Sequence, residues 1–173
     1  HSPRRTWWIT GGVVFLAAVL LAGHCHYYMP FLADDALISL RYSQRLLEGH
    51  GLTWTDGRPV EGYSNLLWVL LSAGLGYLGI DLVTSVRVLG YVSAGMVLMA
   101  IGCCYRAATV RGALPAVVGL LTFVLAAPVA IWTIGGLESI LAAGLLTCAL
   151  TACFPVVERE EVPTKYPLLA SVF

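Results

Sequence analysis

Thr6–Ala33 reads TWWITGGVVFLAAVLLAGHCHYYMPFLA, 28 residues without an Asp, Glu, Lys or Arg, bounded by Arg5 and Asp34. About 20 apolar residues in a helix cross the hydrocarbon core of a bilayer. Lipid offers no partner to free backbone groups, so a stretch of this kind is expected to be helical. Four further charge-free gaps follow: 19 residues after Glu61, 18 after Arg87, 26 after Arg111 and 19 after Glu138. The pattern predicts apolar helices at Trp7–Tyr28, Ser64–Leu78, Thr84–Tyr105, Ala113–Trp132 and Leu137–Phe154.

Composition agrees with that reading. Hydrophobic residues make up 58% of the 173 and charged ones 12%, with ten of each sign. A soluble domain carries roughly 25% charged residues. A mean hydropathy of +0.81 and a pI near 7.1 exclude a disordered chain and the basic footprint of a nucleic-acid binder. The apolar residues do not alternate with polar ones as in a membrane barrel. The expected fold is all-α, a polytopic transmembrane bundle. Its segments are a cytoplasmic tail (1–6), a first span (7–28), an extracytoplasmic loop with an interfacial helix (29–63), membrane helices (64–154), a charged loop (155–166) and the start of another helix (167–173). The chain reads as the N-terminal part of one longer membrane domain.

The loop is the polar exception, holding 8 of the 20 charges between Asp34 and Glu61. Asp35–Glu48 reads as a helix with Arg41, Arg45 and Glu48 on one face, a pattern that suits the membrane interface. Gly49 and Gly51 end it. Asp56-Gly57 then offers a tight turn. Asp34-Asp35 is the first candidate for chemistry. An Asp before a helix also caps it, which accounts for one carboxylate but not both. Beside apolar walls and a cationic face, the pair is a candidate general base or metal ligand.

The string Asp34-Asp35, Ile38, Arg41, Arg45, Gly49-His50-Gly51, Val60-Glu61-Gly62-Tyr63-Ser64-Asn65 and Trp68 resembles the first extracytoplasmic loop of GT-C glycosyltransferases. These enzymes use polyprenyl-phosphate sugars. The nearest branch is the actinobacterial arabinofuranosyltransferases that complete cell-wall arabinan. Gly136-Leu137-Glu138-Ser139 resembles a Ser-Gly-Leu-Glu motif further along that family. Gly135 replaces its Ser, and Leu46 stands where Asn is usual. The resemblance implies an inverting sugar transfer from a lipid phosphate to an acceptor hydroxyl on a glycan, lipid or protein, at the outer face of the cell membrane. It implies that an acid of the pair is the base, Asp34 by preference, with Asp35 beside it. A base helps by taking the hydroxyl proton in the transition state. Arg41 and Arg45, with Arg87 as a third candidate, would stabilise the departing phosphate. Glu61 and Glu138 are implied as substrate-orienting residues. A divalent cation at Asp34-Asp35 is left open, since some relatives in the superfamily use one.

Plainer readings stand beside these. Arginines on an interfacial helix anchor to lipid headgroups. Tyr63 and Trp68 read as interface anchors. His24-Cys25-His26 lacks the four ligands of a closed metal site, and the five cysteines read as small apolar residues. A transporter using Glu138, or a non-catalytic membrane scaffold, is the alternative function class.

Arg4 and Arg5 place the N-terminus inside and Asp34 outside. If Ser64–Leu78 crossed fully, Arg106 and Arg111 would lie outside, against the positive-inside tendency. Its 15 residues fall below the ~17 needed to span. A re-entrant or interfacial helix is therefore expected there, with Glu138 facing the same compartment as Asp34.

Overall fold

The computed structural model describes residues 3–56, 60–107 and 113–159. All seven elements among them are helices: α1 (Pro3–Tyr27), α2 (Ala36–Leu47), α3 (Leu66–Tyr77), α4 (Leu82–Ala107), α5 (Ala113–Leu125), α6 (Ala127–Ile134) and α7 (Ser139–Arg159). Two of them, α1 and α4, are long and apolar enough to cross a membrane, and α5 with α6 makes a third if that bent pair is one span.

The charge-free gaps locate the helices well and misjudge several ends. Helix α1 starts at Pro3, inside the expected tail, because a proline costs little in the first turn, where its missing N–H has no helical partner. Ala113–Trp132 is not one helix. It breaks at Ala126, whose ψ of 116° is extended, and turns by 60°. The cause is Pro128, which cannot donate back into the preceding turn. The charged loop expected from 155 also gives way: α7 continues through Pro155 to Arg159. Val156 and Val157 extend its apolar run, and Glu and Arg are good helix formers. The rest of that loop and 167–173 lie outside the described residues.

Helix α4 lies at the centre and packs on every other helix. Its small residues set the distances. A Cβ on Gly90 would stand 1.8 Å from the Thr133 carbonyl oxygen of α6. One on Gly144 of α7 would stand 2.9 Å from the Ser93 carbonyl oxygen. Gly102 lies against Val14 and Thr10 of α1. Close backbone approach through small residues is how apolar helices gain packing contacts where lipid removes the usual hydrophobic drive. The main core joins Leu21 and Cys25 of α1, Leu98 of α4, Val124 of α5, Ile134 of α6 and Ile140 of α7. The outward faces stay apolar: Phe15 of α1 is 71% exposed, and Val92, Met99 and Leu146 are exposed too. His24 Nδ1 donates to the Val124 carbonyl, and Cys25 Sγ to that of Ala130. Both side chains thus tie α1 to the α5–α6 pair.

Helices α2 and α3 cover one end of this cluster, side by side and parallel. Asn65 meets Ser39, Ser43 Oγ donates to the Val69 carbonyl, and Gly76 lies against Leu47. Gly76 also touches Leu82 at the start of α4. One turn later, Val86 lies against Gly136, near which α3 began. Both ends of α3 therefore sit at the same end of the cluster. At 12 residues it is about 18 Å long, well short of a ~30 Å hydrocarbon core.

Candidate functional site

The connector from α1 to α2 docks on the turn between α6 and α7. Ala33 N–H donates to the Gly135 carbonyl across 2.9 Å. Gly136 has φ +85°, a conformation that penalises any Cβ. A Cβ there would also stand 2.8 Å from Leu32 Cδ1 and 2.9 Å from Ala36 Cβ. The buried indole of Trp68 donates to the Gly136 carbonyl across 2.9 Å. Residues 34–35 and 136–138 are thereby brought together, although a hundred residues separate them. Trp68 is 1% exposed, so it is a core residue rather than an interface anchor.

Beside this junction lies a cleft of about 350 Å³, lined by Asp35, Ile38, Ser39, Gly62, Tyr63, Ser64, Asn65, Leu137 and Glu138. Asp35 and Glu138 are its two carboxylates. Asp34 is exposed next to it, and its Oδ1 accepts from the Asp35 N–H across 3.0 Å. Neither Asp makes the side-chain cap bond to α2 that the plainer reading expects. Glu138 is half-buried, and its Oε2 accepts from Asn65 Nδ2 across 2.8 Å. A second groove of about 360 Å³ shares Ser64, Asn65 and Glu138 with the cleft. It continues between α3 and α7 past Leu66, Leu67, Leu141 and Leu145. A polar cleft and a more apolar groove thus lie side by side, sharing Ser64, Asn65 and Glu138.

The arginines stand elsewhere. Arg45 is only 6% exposed. Its Nε donates to Thr53 Oγ1, and Nη2 pairs with Asp56 Oδ1 across 2.6 Å. That hydrogen bond, helped by the guanidinium charge, holds the Asp56 carboxyl below its usual range. Arg41, half-buried, donates from Nε to the Trp54 carbonyl. The two arginines therefore organise the segment after α2 and do not form the exposed stripe expected with Glu48. Arg87 donates from Nη2 to the Pro30 and Phe31 carbonyls, clamping the connector ahead of Asp34. None of the three lines the cleft. Glu61 is exposed, next to the lining residue Gly62.

Three residues that shape the site were given no role from sequence, although Asn65 stands in the motif string. Ser39 and Asn65 link α2 and α3 at the cleft floor, with Asn65 Nδ2 donating to Ser39 Oγ across 2.9 Å. Tyr42 fixes the approach to α3: its hydroxyl donates to the Val60 carbonyl and accepts from Gly62 N–H. Tyr63 packs edge-on against the Tyr42 ring at 4.7 Å. Ser39, Tyr42 and Ser43 lie on the buried face of α2. That phase was the available signal, because polar residues on a packed face need partners. Among the described residues, no three of His, Cys, Asp and Glu are grouped to hold a metal ion. No protein-family model, curated protein or solved structure matches the chain.

Proposed function

We propose that the chain is part of a multi-pass membrane glycosyltransferase. It moves a sugar from a polyprenyl phosphate to an acceptor hydroxyl at the outer face of the cell membrane. The observation that carries this reading is the junction of the two-carboxylate cleft with an apolar groove through Ser64, Asn65 and Glu138. A donor that is a sugar at one end and a hydrocarbon at the other requires such a pair of compartments. The segments that resemble the GT-C family supply most of the cleft lining and the residues that it shares with the groove.

Within this reading, a carboxylate of the Asp34-Asp35 pair takes the acceptor proton, and Asp35, which lines the cleft, is the better situated. Glu138, which lines the same cleft, orients the acceptor through hydrogen bonds to its hydroxyls. Arg41 is kept as the candidate to meet the phosphate, since Arg45 is already paired with Asp56 and Arg87 holds the Pro30 and Phe31 carbonyls. Arabinofuranose is the sugar that the family resemblance favours.

The test is to reconstitute the full-length protein in liposomes with a panel of polyprenyl-phosphate sugars and follow transfer to a soluble oligosaccharide. Turnover of one donor, lost on changing Asp35 to Asn, supports the proposal. Substrate uptake without turnover returns the transporter reading, and neither activity returns the scaffold. Sidedness is checked by single cysteines at positions 56, 109 and 138 in a Cys-free background. Labelling of 56 and 138 but not 109 from outside is expected, and the reverse for 109 and 138 overturns the assigned topology.

A further inference from the structure

Asn65 occupies the N-cap of α3, where an Asn normally accepts a hydrogen bond from the first turn of its own helix. It makes no such bond. Its side chain reaches instead across two other elements. Nδ2 donates to Glu138 Oε2 across 2.8 Å and to Ser39 Oγ across 2.9 Å, while Oδ1 accepts from Ser39 Oγ across 3.2 Å. An amide with a local use that is directed to a distant carboxylate marks a place where local preference yields to the site. Asn65 also lines both the polar cleft and the apolar groove, so it sits where the two compartments meet.

From this geometry we infer that Asn65 is a positioning residue for Glu138. It fixes one carboxylate oxygen, orients the other for substrate, and is itself held in register by Ser39. The sign of the interaction is favourable, because an amide N–H bonded to a carboxylate is a charge-assisted hydrogen bond. Asp35 and Tyr63, the other titratable groups lining the cleft, are not its partners. The inference rests on the transferase reading for its functional half. Its structural half, that Asn65 acts through Glu138 and not as a cap, stands by itself.

A double-mutant cycle on the full-length protein tests both halves. Asn65→Ala, Glu138→Ala and the double variant are compared for acceptor KM, kcat and unfolding midpoint, with Asn65→Gln and Ser39→Ala alongside. If Asn65 acts through Glu138, Asn65→Ala raises acceptor KM about tenfold or more in the wild-type background. It then adds little in the Glu138→Ala background, because coupled residues are not additive. Ser39→Ala gives part of that effect. Asn65→Gln, which displaces the amide by one methylene, does not restore it. Additive effects on turnover overturn the inference. If the wild type transfers no sugar from any donor, the transferase reading fails and the unfolding midpoints decide. Coupling between positions 65 and 138 keeps the positioning role, and additivity, as expected of a simple cap, overturns it.

Discussion

Trp68 and Gly136 are 68 residues apart in the chain, and the indole Nε1 of one donates to the carbonyl of the other across 2.9 Å in a buried contact. The bond ties the start of α3 to the turn that carries Glu138. It also satisfies a carbonyl that the packing of Leu32, Ala36 and Val86 around Gly136 shuts away from water. Glu138 and the Asp34-Asp35 connector share one end of the molecule because this turn is held from both sides, by Trp68 and by Ala33.

Replacing Trp68 with Phe keeps most of the ring volume and removes the donor. Leaving a buried acceptor unsatisfied costs about 1–3 kcal/mol. The unfolding midpoint in detergent is expected to drop accordingly, and Trp68→Ala to drop it further, by the ~3–5 kcal/mol of a large core truncation. An unchanged midpoint in Trp68→Phe contradicts the role given to this bond.

Gly90 and Gly95 lie on the same helix, five residues apart, and are expected to answer an added methyl in opposite ways. A Cβ at Gly90 would collide with the Thr133 carbonyl oxygen, a backbone atom that cannot move without shifting α6. A Cβ at Gly95 meets nothing within 4 Å. Gly90→Ala is expected to prevent the folded state or lower its midpoint sharply. Gly95→Ala is expected to hold the midpoint or raise it by up to ~1 kcal/mol, the helix penalty of Gly against Ala. Comparable midpoints in the two variants refute the close α4–α6 approach.

In the proposed reaction, Asp35→Asn removes the proton acceptor that lines the cleft while keeping its shape. Loss of a general base reduces rate by about 10²–10⁴-fold. Asp34→Asn is expected to cost less, since that residue stands beside the cleft. Steady-state kinetics on both variants ranks them, and a larger loss in Asp34→Asn moves the role of base to Asp34.

Arg41 and Arg45 are expected to separate by assay. Arg41→Ala raises donor KM, and Lys restores only part of it, lacking the planar fork of the guanidinium. Arg45→Ala lowers the unfolding midpoint instead, because it strips the buried anchor from Thr53 and Asp56. Equal effects of the two on donor KM contradict this division.

The pair Arg45–Asp56 also carries a pH signature. The folded-state pKa of Asp56 is lowered, chiefly by its hydrogen bond from Arg45. A carboxylate of this kind adds stability above its ordinary range and loses it as pH falls through the lowered folded value. Wild type is thus expected to exceed Asp56→Asn in unfolding midpoint at neutral pH, with the gap closing in acid. Asp56 is exposed, so the gap is small and shrinks with salt. A gap that grows in acid contradicts the assignment.

Helix positions and the apolar outer surface were legible in the sequence, because both follow from where charges are absent: a run such as Thr6–Ala33 has few alternatives in water or lipid. Asp35 and Glu138, two acids of the cleft, were legible too, through the motifs around them. The site's internal wiring was not. Ser39, Tyr42 and Asn65 are ordinary helix or cap residues by local rules, and only contact between α2, α3 and the α6–α7 turn gives them partners. The same limit explains Arg45, charged and on a face expected at the membrane interface, yet buried, with Thr53 and Asp56 as its partners. Local sequence sets period and hydrophobicity. Which polar atoms meet depends on backbones brought together from far along the chain, as Gly90 and Gly136 allow by lacking a side chain.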